Sequence, residues 1–209
     1  MRFLLEAYVR LGQVILIDPK KSDGARWAKQ HPKVKLIVPD DNDRPEDFLP
    51  KVNNVLSVAL QELNNRQSAI YKQTDKISAN YHDLNLKPIF IVIDEVASLA
   101  VGLKKQLLND FQTLLTQLAM LGREAGIFLT LSLQEARHEF LSSLVRGQMG
   151  VRILLGRIDK STCQFLFPEI SDGFPIPIGG VGSGIISIQD GQHYGIEPIA
   201  MPTITEGDR

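Results

Sequence analysis

The sequence predicts a three-layer α/β fold built on a mainly parallel sheet. Three observations predict it. Short apolar runs alternate with longer amphipathic segments, the pattern that places crossover helices between parallel strands. The runs are continuous, as in "IFIVI" (89–93), which suits strands covered on both faces. Three runs also end in a polar residue, Asp18, Asp94 and Gln134, and in an open parallel sheet the carboxyl ends of the strands are where ligands bind.

Taken in order, residues 3–10 read as the end of a helix stopped by Gly12. "QVILI" (13–17) is the first strand, closed by the Asp18-Pro19 turn. "VKLIV" (34–38) is the second. An acidic loop over 39–47 carries helix-start signals. It leads into a helical segment from about Glu46 to Tyr81, with a break expected near 74–85. "IFIVID" (89–94) is the third strand. Residues 103–121 space their leucines at threes and fours, an amphipathic helix that Gly122 is expected to close. "GIFLTLSLQ" (126–134) and "VRILLG" (151–156) follow as strands of the same parallel sheet. Asp190-Gly191, between β-like runs within 185–199, signals a hairpin. The whole chain, 1–209, reads as one domain.

Composition narrows the classes. The 209 residues are 44% hydrophobic and 22% charged, with a formal net charge of −1, which excludes a uniformly basic nucleic-acid binder but not a local basic patch. A single cysteine, Cys163, excludes an internal disulfide and a multi-cysteine zinc site, and fits a reducing, cytoplasmic compartment. His31, His82, His138 and His193 are scattered without metal-ligand spacing. No apolar run is long enough for a transmembrane segment. The start, interrupted by Glu6 and Arg10, is not a signal peptide.

The acids at 94 and 95 carry the chemistry. An apolar strand ending in Asp-Glu matches the Walker B arrangement, in which Asp94 holds Mg²⁺, directly or through water, and Glu95 orients the water that attacks a γ-phosphate. Gln134, ending the next strand, is placed to bond that water or the phosphate. The same residues also fit an Asp94 that caps the following helix beside a solvated Glu95. Arg123, in "LGREAG" (121–126), is either one of two solvated charges at a helix end or an arginine reaching a neighbouring subunit's phosphates. "GGVGSG" (179–184) lacks the Lys-Ser/Thr ending of a phosphate loop and reads as a turn. Lys20, Lys21, Arg26, Lys29, Lys33 and Lys35 form the best candidate patch for a phosphate backbone. A Rossmann-like small-molecule site using Asp18 has no glycine-rich loop ahead of its strand.

In sequence order, "VILIDPK", "IFIVIDEVASL", "LAMLGREAGIFLTLSLQ", "LVRGQMGVRILLGRIDKST" and "GGVGSGIISI" resemble the motor domain of the FtsK/SpoIIIE family of DNA translocases, from about Leu11 to Met201. The glycine-rich "GVGSGIISI" is most similar to the coupling proteins of conjugative elements. The resemblance implies a RecA-like P-loop NTPase fold that uses ATP and Mg²⁺. It also implies other translocase subunits in a hexameric ring and double-stranded DNA, bound weakly and without sequence preference by this chain alone. It carries Walker B onto Asp94 and Glu95, the sensor onto Gln134, and arginines acting in trans onto Arg123 or Arg152. The sensor strand departs from the family's pattern, reading "LSLQEA" (131–136) without an Arg-Pro. No G-x-x-x-x-G-K-[ST] run occurs in the 209 residues. The expected fold therefore lacks the P-loop strand, whose place in the family is beside the sensor strand, between 127–133 and 151–155. The function the resemblance implies is that of the C-terminal major part of an ATP-driven double-stranded DNA translocase, and the alternative is a non-catalytic module that joins or modulates an intact ring.

Overall fold

The structure is a computed structural model describing residues 1–100, 105–134, 140–157, 159–170, 173, 175, 179–193 and 195–202. It divides into two compact units, Met1–Gln134 and Glu135–Arg209.

The first unit is the predicted parallel sheet. Strands β1 (Gln13–Ile17), β2 (Val34–Ile37), β3 (Ile89–Ile93) and β4 (Ile127–Leu131) pair in the order β2-β1-β3-β4, every neighbour parallel. All five residues of β3 are buried, as its continuous apolar run demands. Alternation sends Val14, Leu16, Phe90 and Val92 to one face, against Leu5 of helix α1 (Arg2–Leu11) and Trp27 and Ala28 of α2 (Asp23–Ala28). Tyr8 stacks on Phe90 with ring centroids 4.2 Å apart, and its hydroxyl lies 2.9 Å from Thr130 Oγ1. Helices α3 (Pro45–Gln73) and α4 (Lys105–Ala125) pack on each other, and α4 packs on β4. The long helix ends at Gln73, before the expected break. The predicted start of α4 at Leu103 lies outside the described residues.

Helix α4 does not stop at Gly122, as the sequence suggested; it runs three residues further, to Ala125. Gly126, with φ 73°, makes the stop. Gly122 has a packing role instead: a Cβ there would sit 2.2 Å from the Ile127 carbonyl oxygen. Arg66, nearly buried, fastens this corner by donating to the carbonyls of Lys87 (3.0 Å) and Ala125 (3.1 Å) and pairing with Glu62 at 2.7 Å.

The second unit corrects the sequence reading. The strand at 151–155, β5 (Val151–Leu155), does not join the parallel sheet. It pairs antiparallel with β6 (Ser183–Ile188), and β6 pairs antiparallel with β7 (Glu197–Ala200). The reason lies in β5's burial: Val151 and Leu155 at its ends are exposed and Arg152 is buried, so it is not a strand covered on both faces. Among the described residues strand β4 is therefore the outer strand of the first sheet. The Asp190-Gly191 signal does mark the β6–β7 connection, but the loop spans 189–196 rather than a two-residue turn. Among the described residues the unit also holds helices α5 (Ser143–Gln148) and α6 (Lys160–Leu166), and Cys163 and Phe167 pack on Ile185.

Asp159 caps α6, accepting from Thr162 N–H at 2.9 Å and Ser161 Oγ at 2.5 Å, and these bonds hold its carboxyl at about 2. A carboxyl lowered on folding stabilises above its ordinary value, and that contribution fades as pH falls through 3.8 toward about 2. The Thr162 amide resonance is expected to titrate near pH 2 in wild type, and the titration to disappear in Asp159→Asn.

Candidate functional site

Parallel register assembles the site. Ile17 is paired with Ile93 and Ile93 with Leu131, so the residues that follow emerge side by side at the carboxyl edge. The main chain continues the ladder beyond the strands: Asp94 N–H donates to the Ile17 carbonyl (2.9 Å) and Ser132 N–H to the Ile93 carbonyl (3.0 Å).

Asp18 is fully buried and saturated. Its Oδ2 accepts from Ser22 N–H (2.8 Å), Ser22 Oγ (2.7 Å) and Ala25 N–H (3.1 Å), and its Oδ1 from Lys20 N–H (3.0 Å). These bonds bend residues 18–22 into a tight turn, and Ser22 then caps α2. Ser22 Oγ also lies 2.9 Å from Asp94 Oδ2. A hydroxyl has one proton, so it donates to only one of the two carboxylates at a time.

Glu95 follows Asp94 in a left-handed backbone conformation, φ 65° and ψ 73°, which costs a non-glycine residue about 1–3 kcal/mol. The bend turns its side chain inward, where only 6% remains exposed. Lys20 Nζ lies 3.3 Å from Glu95 Oε2, and Gln134 N–H donates to Oε1 at 3.3 Å. The sequence reading put Gln134 here through its side chain; the contact is made by its main chain. Residues 135 and 136 of the sensor stretch lie outside the described residues.

The two arginines are elsewhere. Arg123 is exposed in the last turn of α4, ahead of β4, and therefore at the opposite edge of the sheet from Asp94. Arg152 is buried in the second unit. It donates to the Leu166 carbonyl at 2.8 Å, is in a close ion pair with Glu169, and lies over the Phe167 ring. "GGVGSG" is the turn into β6, with Ser183 Oγ donating back to the Gly179 carbonyl. In the basic cluster, Lys21 pairs with Asp41 and Arg26 with Asp23, while Lys29, Lys33 and Lys35 are exposed. The sequence reading missed Lys20, Ser22 and the burial of Asp18 as parts of the site. A serine four residues after a strand-ending aspartate, just ahead of a helix, was the available signal.

Among the described residues no group of three or more His, Cys, Asp or Glu side chains forms a metal cage. Mg²⁺ needs none, since it is usually held by one or two carboxylates and keeps its remaining waters. The half-buried Asp94, with hard oxygen donors at a sheet edge, fits that use. A nucleotide's phosphates fit less well, because the described residues at this edge supply no glycine-rich nest of N–H donors. Among the described residues no helix is long and apolar enough to cross a membrane.

A parallel α/β sheet carrying acids at its carboxyl edge has counterparts in known sequences and structures. In sequence the chain is similar to the FtsK domain-containing protein YdcQ of Bacillus subtilis (strain 168), with 29% identity over 175 residues, covering 83% of this chain and 35% of YdcQ. Its fold is similar to the pCW3 conjugation coupling protein TcpA, solved in monomer form with ATPgS, with a TM-score of 0.71 at 16% identity over 95% of this chain and 55% of that one. It is also similar to the cytoplasmic domain of the Thermomonospora curvata type VII secretion ATPase EccC, with a TM-score of 0.66 at 18% identity over 94% of this chain and 23% of that one. The chain thus spans about a third of the curated relative and about half of the TcpA chain. No protein-family model matches it.

Proposed function

We propose that the chain is the Walker B and sensor portion of the motor of an ATP-driven double-stranded DNA translocase, of the kind used in conjugative transfer or in plasmid and chromosome segregation. One observation carries the reading. At a single sheet edge, strand register brings Asp94, Glu95 and the main chain of Gln134 together, with Glu95 buried in a left-handed backbone conformation uncommon for residues other than glycine. Asp94 would hold hydrated Mg²⁺, and Glu95 would orient water for attack on a phosphate. The similarity in fold to the conjugation coupling protein TcpA supports the assignment to the conjugation branch. Arg123, exposed at the far edge, is the arginine suited to act on a neighbouring subunit's nucleotide in a ring. Arg152 is already committed to Glu169. The working compartment proposed for this portion is the cytoplasm.

The test is ATP turnover with DNA present, measured on the 209-residue chain and on a version extended with the family's P-loop strand, loop and helix. The short chain is expected to be inactive, because phosphoryl transfer is almost entirely positioning and charge stabilisation. Activity only in the extended form supports the reading; steady turnover by the short chain contradicts it. The second reading is a non-catalytic ring-binding module. It gains if the extended form is also inactive yet binds an intact motor.

DNA binding by the chain alone is expected to be weak and independent of sequence. Each phosphate contact adds roughly one unit to the slope of log K against log salt, and a near-neutral chain offers few contacts. Fluorescence anisotropy across a salt series measures that slope. Tight, sequence-specific binding at physiological salt is the contrary result.

A further inference from the structure

We propose that Lys20 is the resident counter-ion of the acid pair and that a divalent cation at Asp94 exchanges with it. This rests on reading Asp94 as a Mg²⁺ ligand. Three carboxylates from two chain segments gather at this edge: Ser22 Oγ touches both Asp18 and Asp94, and Glu95 follows Asp94 in the chain. Asp18 is charge-compensated by its N–H and O–H donors. Glu95 has one N–H, from Gln134 at 3.3 Å, and the Lys20 ammonium at the same distance. Among the described residues that ion pair is the only one either acid makes. Lys21, the next residue, turns away to Asp41 at 2.7 Å.

The two partners differ in freedom. Glu95 is buried and fixed by its main chain, whereas the Lys20 side chain is 44% exposed and can swing into water. A doubly charged ion on Asp94 stands beside the ammonium and repels it, while taking over the neutralisation of the acids. Lys20 is therefore a charge gate and a positioning residue: it steadies Glu95 before the metal arrives and leaves when the metal takes its place.

Mn²⁺ is the probe, on the 209-residue chain as it stands, with its affinity read from paramagnetic broadening of the Gln134 backbone amide. Lys20→Met is expected to tighten Mn²⁺ binding by about tenfold, the pair being partly screened by water. Lys20→Arg keeps the charge and should stay close to wild type. Lys21→Met changes the net charge equally and should leave the affinity unchanged. Asp94→Asn should abolish binding. If Lys20→Met binds no more tightly than wild type while Asp94→Asn loses binding, the exchange is overturned and the metal-ligand reading of Asp94 stands. If neither wild type nor Lys20→Met binds millimolar Mn²⁺, both are overturned.

Discussion

Glu95→Gln, placed in a chain that also carries a phosphate-binding loop, is expected to lower ATP turnover by about 10²–10⁴-fold, the usual contribution of a positioned general base. Nucleotide affinity should survive. Glutamine matches glutamate in shape, can occupy the same pocket and still accepts from Gln134 N–H through its amide oxygen. What it loses is the negative charge that polarises a water. Steady-state turnover and a fluorescent-nucleotide titration on the same preparation separate the two quantities. If turnover and affinity fall together, the substitution has damaged binding or folding and Glu95 has no separate chemical role. If neither changes, the water is activated elsewhere.

Gly122→Ala is expected to destabilise the first unit by about 2 kcal/mol, against local preference. Alanine is favoured over glycine inside a helix by about 1 kcal/mol. The new Cβ, however, would lie 2.2 Å from the Ile127 carbonyl oxygen, a backbone atom that cannot rotate aside. Overpacking costs about 1–3 kcal/mol and occasionally more, and contact with a rigid backbone belongs at the upper end. The clash therefore outweighs the propensity gain. Urea denaturation followed by the fluorescence of Trp27, the chain's one tryptophan, reports on this unit. Gly150→Ala, where nothing lies within 4 Å, is the control expected to leave the midpoint in place. A midpoint raised by Gly122→Ala would mean that helix propensity governs this contact.

The elements legible in the sequence were those whose signal is local. The apolar runs at 13–17, 89–93 and 127–131 announced buried parallel strands, and their polar ends announced the shared edge. Partner choice was not legible. β5 reads much like β4 in composition, and only its pairing with β6, some thirty residues away, puts it in another sheet. Gly122 misled because a glycine near a helix end resembles a stop, whereas here it answers a close approach from a strand that comes later in the chain. Within the site, Asp94 and Glu95 were visible from their adjacency. Lys20 and Ser22 were not, because their contacts are with Glu95 and Asp94, just beyond β3, which register, not sequence proximity, brings to them.

The left-handed backbone at Glu95 sets breeding the protein for heat tolerance against preserving its chemistry. Glycine would relieve the bend, and asparagine tolerates it better than glutamate does. Random mutagenesis scored only by survival on heating would thus enrich glycine at position 95, and each such winner would have discarded the carboxylate that the proposal above assigns to orienting water. On the role proposed above, glutamate at this position is a residue that selection for durability alone would remove.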